Sequence, residues 1–102
     1  MNTYEGMFIF VDSLSDEELE SAVKEVGEEI DKLEGRVENT ARMGRRPFAR
    51  LQSKRHKAGH YIVMNFAMAP DRLVALRARL KLKDAVLRQQ IIAQPKPVEA
   101  KG

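Results

Sequence analysis

The chain has 102 residues, 43% of them hydrophobic, and carries 18 basic against 15 acidic side chains. That length makes one domain, with a core burying roughly 60–65% of the unfolded surface. No run of about 18 apolar residues occurs, so no membrane-spanning helix is expected. The absence of cysteine removes disulfides, thiolate chemistry and cysteine-held metals, and fits a reducing compartment. The opening MNTYEGMFIFV lacks the basic flank and small-residue cleavage site of a signal peptide.

The charge is distributed unevenly. Residues 1–38 hold twelve carboxylates and three cations, whereas residues 39–70 hold seven cations and no carboxylate. Residues 71–102 hold eight cations and three carboxylates. Such asymmetry points to one-sided contact with a polyanion. Solvated surface charge explains the acidic first third well, but it does not explain an acid-free run of 32 residues.

Tyr4 to Val11 alternates with apolar residues on both faces. Tyr4, Phe8 and Phe10 share one side, and Met7, Ile9 and Val11 the other, which predicts a central strand. Asp12-Ser13 starts a turn. Ser15-Asp16-Glu17-Glu18 is a capping box opening a helix, with three acids at its positive end. Leu19, Ala22, Val23, Val26, Ile30 and Leu33 then form one apolar stripe, and Gly35 is the expected left-handed residue after the helix.

A second strand begins near Val37. Met43-Gly44 marks a bulge or bend, and Pro47, lacking an amide donor, belongs on an edge strand. RMGRRPFARLQ and HYIVMNFAM read as the arms of a long hairpin, with HKAG as its turn and Gly59 supplying a positive φ. The cations on this arm are Arg42, Arg45, Arg46, Arg50, Lys54, Arg55 and Lys57. One or two would discourage edge-to-edge aggregation; seven exceed that need.

In His60 to Met68, Ile62, Met64 and Phe66 should face the helices, and Tyr61, Val63 and Asn65 should face away. Pro70 opens a second helix with Leu73, Val74, Leu76 and Leu80 as its stripe. Ala85 to Ala93 predicts a last strand, with Val86 and Ile92 on one face and Leu87 and Ile91 on the other. The order is strand, helix, strand, strand, helix, strand. Two right-handed βαβ units give an α+β, ferredoxin-like β-α-β-β-α-β fold. Its four-stranded antiparallel sheet carries both helices on one face. Residues 1–94 form the domain and residues 95–102, with Pro95 and Pro97, a flexible tail.

No residue set predicts catalysis. Small enzymes of the same strand order cradle phosphate esters in a glycine-rich loop after the first strand, and DSLSDEE would repel phosphate instead. His56 and His60 are four apart, but a turn lies between them and no carboxylate or thiolate is local, so no metal is expected. Glu17/Glu18 and Glu28/Glu29 read as a solvated helix surface. Only Tyr61 is a clear outward aromatic, so base stacking on the sheet is weakly supported. The cations suit phosphate and shape contact instead.

RMGRRPFARLQ, KRHKAGHYIVMNF, APDRL and LKDAVLRQQII, preceded by TYEGMFIFV, resemble the bacterial small-subunit ribosomal protein six family over residues 3 to 94. Gly44-Arg45-Arg46 matches its glycine-arginine segment, Tyr4-Glu5 its opening, and Asp84 through Arg88 its last strand. Met43 replaces its usual aromatic, and Phe48-Ala49-Arg50-Leu51 its leucine-alanine-tyrosine-proline run. The resemblance implies a non-catalytic, cytoplasmic ribosome constituent without cofactor or small-molecule substrate. It implies binding to the central domain of 16S ribosomal RNA beside ribosomal protein eighteen. On that basis the basic arm would meet RNA, and Tyr61, Arg88, Gln94, Pro95, Lys96 and Pro97 the protein partner. Two alternatives stay open: a stand-alone RNA-binding module, and a small dimeric ferredoxin-like ligand sensor.

Overall fold

The structure, a computed structural model of the chain, describes residues 2–48 and 57–94. Strand β1 spans Asn2–Val11, helix α1 Asp16–Lys32, strand β2 Arg36–Pro47 and strand β3 Ala58–Met68. A 3-10 turn at Pro70–Arg72 leads into helix α2, Leu73–Lys81, and strand β4 is Val86–Gln94. The sheet order is β2-β3-β1-β4 with every neighbour antiparallel. This is the expected ferredoxin-like α+β arrangement, with β1 and β3 in the middle. Among the described residues no helix is long and apolar enough to cross a membrane.

Period-two alternation decides which sheet face is dry. Tyr4, Phe8 and Phe10 from β1 and Ile62, Met64, Phe66 and Met68 from β3 enter one buried cluster. Leu19, Ala22, Val26 and Ile30 of α1 and Leu76 and Leu80 of α2 close it from above. The Tyr4 and Phe66 rings lie 5.6 Å apart in a tilted pair.

Helix α1 starts as its sequence dictates. The Ser15 amide donates to Glu18 Oε1 at 2.8 Å, and the Glu18 amide donates to Ser15 Oγ at 3.2 Å. Its end corrects the expectation for Gly35. Glu34 takes the left-handed conformation, φ 65°. The Glu34 amide then donates to the Asp31 carbonyl, and the Gly35 amide to Ile30, both at 2.9 Å. Gly35 is needed for space: a Cβ there would meet the Ala67 carbonyl oxygen at 2.8 Å.

Three further expectations change. Gly59 is not the turn residue but lies inside β3, paired with Val11 and Arg46. A Cβ at Gly59 would sit 2.5 Å from Ile9 Cγ2, so close approach rather than turning explains it. Of the predicted turn HKAG, Ala58 also belongs to β3 and Lys57 directly precedes it, while His56, with residues 49–55, lies outside the described residues. Val74 leaves the α2 stripe and is 76% exposed, because position 74 falls out of the three-and-four rhythm set by Leu73, Leu76 and Leu80. In β4 the register shifts between Ile9 and Phe10, so Val86 and Ile91 both pack on the core while Ile92 faces away. A bulge reverses strand parity, which an alternation pattern alone does not reveal.

The helices are tied by one buried carboxylate. Glu29 of α1 is 5% exposed and accepts hydrogen bonds from Arg79 of α2 and, at 3.1 Å, from Lys83 just beyond it. The Arg79 hydrogen bond, reinforced by Lys83, holds the Glu29 carboxyl below its ordinary range against the opposing effect of burial. A lowered folded-state value means the stabilisation is present above the unfolded carboxylate range, about 4.3, and is lost as pH falls through the folded value. E29Q is therefore expected to lower stability at pH 7 by on the order of 1 kcal/mol. That corresponds to about 4–8 °C in Tm, and calorimetry should find the gap to the native protein closing below about pH 4. The two glycines give a second check. Gly44 has φ +91° with open space where a Cβ would go, so G44A should cost only about 1 kcal/mol of backbone strain, whereas G35A, which collides with a fixed carbonyl, should cost more in urea unfolding.

Candidate nucleic-acid interface

Among the described residues strand β2 pairs only with β3, which leaves its other edge without a strand partner there. Pro47 sits there without a ladder donor, paired with Ala58, as an edge strand permits. The ladder shifts between Arg42 and Gly44, and Gly44 adopts φ +91°, a conformation that glycine enters at little cost. The bulge foreseen at Met43-Gly44 is therefore present. Past it, ordinary strand alternation puts the next two arginines on opposite faces, and the extra residue fixes which: Arg45 pairs with His60, a core-side position like that of Arg42 opposite Ile62, and Arg46 with Gly59, an open-side position.

The described cations of this arm, Arg42, Arg45, Arg46 and Lys57, are exposed, and two of these four hold carboxylates. Arg45 donates through Nε to Asp12 Oδ1 at 2.6 Å and through Nη2 to Asp12 Oδ2 at 3.0 Å. Hydrogen bonding and then Coulomb attraction from Asp12 raise the Arg45 pKa further. Arg42 Nη2 lies 3.5 Å from Glu20 Oε2 on α1. Both guanidinium side chains keep about half their surface in water, 48% for Arg42 and 57% for Arg45. Arg46 donates through Nε to the Met43 carbonyl at 3.2 Å. Lys57 is exposed at the start of β3, where its carbonyl accepts from the Phe48 amide at 2.8 Å. Arg50, Lys54 and Arg55 lie outside the described residues.

The uncovered sheet face holds the other predicted set. Tyr61 pairs with Ile9, Arg88 with Ile9 from the other side, and Gln94 with Thr3. Gln94 Oε1 accepts from Asn65 Nδ2 at 3.2 Å. A hollow of about 170 Å³ lies between Met7, Ile9, Tyr61, Arg88 and Gln90. A second, of about 130 Å³, lies between Glu5, Met7, Val63, Gln90 and Ile92. Both are too small for a cofactor and mark an uneven, partly apolar surface. Pro95, Lys96 and Pro97 fall outside the described residues.

Two contributors escaped the sequence reading. Asp12, read only as a turn residue, is the partner of Arg45. Phe48 packs its ring 6.4 Å from that of Tyr61, at 58°, extending the aromatic surface of the open face. Its place directly after Pro47 on an edge strand was the available signal. Among the described residues no group of three or more His, Cys, Asp or Glu side chains could hold a metal.

Comparison with known proteins agrees with this geometry. The family model for Ribosomal protein S6 matches residues 3–93. The small ribosomal subunit protein bS6 of Helicobacter acinonychis is 36% identical, over 98% of this chain and 71% of its own. That of Dictyoglomus turgidum is 33% identical, over 89% of this chain and 93% of its own. The crystal structure of 30S ribosomal protein S6 from Thermotoga maritima superposes with a TM-score of 0.84 at 29% identity, covering 91% of this chain and 87% of that one. A ferredoxin-like sheet with a bulged, arginine-bearing edge strand and a sequence match across nearly its whole length together mean that this chain belongs to the Ribosomal protein S6 family.

Proposed function

We propose that the chain is a structural, non-enzymatic constituent of the small ribosomal subunit. It binds the central domain of 16S ribosomal RNA together with ribosomal protein eighteen, in the cytoplasm. Membership of the family supports the ribosomal role. The observation that carries the RNA contact is the placement of Arg42, Arg45, Arg46 and Lys57 along one open edge and its adjoining turn.

RNA helices are read mainly through phosphates, sugars and shape, because their major groove is too narrow for side chains. A line of guanidinium groups on a rigid strand suits that task, since each presents a planar donor fork to phosphate oxygens. Arg50, Lys54 and Arg55 belong to the same acid-free run and are assigned the same RNA-binding role. The acidic outer face of α1 would repel RNA, so the docking has one orientation.

The protein partner takes the open sheet face and the residues after β4. Tyr61, Arg88 and Gln94 lie on that face, and Pro95, Lys96 and Pro97 continue the chain from its end. Exposed apolar surface there, including Ile92 at 52% exposure, suits a protein more than a polyanion.

Reversing both charges, R45E with R46E, is expected to weaken assembly of the two-protein pair on a central-domain RNA fragment at least tenfold while the circular-dichroism melt persists. Unchanged affinity would contradict the RNA assignment. Truncation after Gln94 is expected to weaken binding to ribosomal protein eighteen in calorimetric titration and to leave Tm nearly unchanged. A large loss of Tm would instead make the tail part of the folded domain.

A further inference from the structure

Both arginines that follow the bulge are held at the same nitrogen. Arg45 donates through Nε and Nη2 to the two oxygens of Asp12, a side-on bidentate pair. Arg46 donates through Nε to the Met43 carbonyl. A guanidinium carries five N–H groups. The side-on pairing occupies two of them and leaves the Nη1–Nη2 end of Arg45, which points away from Asp12, as a two-donor fork. That end has the spacing that phosphate oxygens accept in pairs. Arg45 remains 57% exposed, so the fork is reachable.

We propose that Asp12 is a positioning residue for the RNA contact: it anchors the near side of the Arg45 guanidinium so that the far side is presented to one backbone phosphate. The inference rests on the RNA-binding reading above. Its physical basis is conformational entropy. A free arginine loses much rotamer freedom when a ligand immobilises it, and a guanidinium already fixed by a carboxylate loses less, so the phosphate contact is tighter. The Met43 carbonyl plays the same part for Arg46, and strand alternation places the two forks on either side of the edge, where they can grip neighbouring phosphates.

A rival expectation has the opposite sign. If Asp12 were only a nearby negative charge, removing it would relieve repulsion of phosphate and tighten RNA binding. Under the positioning role D12N, nearly the same shape without the charge, should weaken binding of the central-domain RNA fragment about three- to tenfold. The effect should shrink in an R45A background, because the proposed anchoring runs through that side chain. Tm should hardly move, since an exposed pair contributes little to stability.

Tighter binding by D12N, or equal weakening with and without Arg45, would overturn the proposal. If R45A alone leaves affinity unchanged while R46E lowers it, the positioning role falls and the RNA reading stands. If the double reversal R45E/R46E has no effect, the RNA reading falls and the positioning role with it.

Discussion

Burying one face of the sheet is the constraint on which the rest of this molecule depends. Phe8, Phe10 and Phe66 have no exposed surface, and they are covered by the α1 stripe and by Leu76 and Leu80 of α2. Burial of large side chains is the dominant favourable contribution to folding, about 1.5–3 kcal/mol for each. Both helices are therefore committed to that face. The opposite face and the β2 edge are left uncovered by either helix, because neither can cover them as well. The pairing order β2-β3-β1-β4 follows from the same constraint: the two strands apolar on both sides take the centre, and the strand with a proline and a row of cations takes an edge.

The charge distribution gains meaning from that architecture. Most carboxylates of α1 project from the helical layer, while Arg45 and Arg46 stand at the strand edge just after the bulge, on opposite faces. Glu20 and Asp12 reach across to Arg42 and Arg45, so the molecule does commit part of its acidity to its own basic arm. Exposed pairs of this kind are weak and screened by salt. The buried Glu29 differs in kind. It joins the two helices through Arg79 and Lys83, and it belongs to the frame rather than to the contact surface.

Much of this was legible in the residues. The aromatic alternation of β1, the capping box at Ser15 and the stripe from Leu19 to Ile30 each carry a local signal strong enough to survive folding. The Met43-Gly44 bulge and the edge position forced by Pro47 were also readable. What escaped was set by neighbours distant in sequence. Gly59 looks like a turn glycine until β1 is laid beside it and Ile9 fills the space a side chain would need. The face of Ile92 depends on a register shift opposite Phe10. Asp12 and Arg45 are 33 residues apart, and no local pattern joins them. The basic run announced an interface, but not that the extra residue at its bulge would return Arg45 to the same face as Arg42.

The central claim is that the cations of the acid-free run make direct phosphate contacts. It is tested most directly by the salt dependence of RNA assembly. Each phosphate contact releases condensed counterion, so the logarithm of the association constant falls linearly with the logarithm of salt concentration, by about 0.7–0.9 per contact. Titrating the protein pair onto the central-domain fragment across a salt series, with the native chain and with the double reversal at Arg45 and Arg46, isolates their share. The account predicts a slope shallower by about 1.5 in the reversed protein. Identical slopes for the two proteins would contradict it.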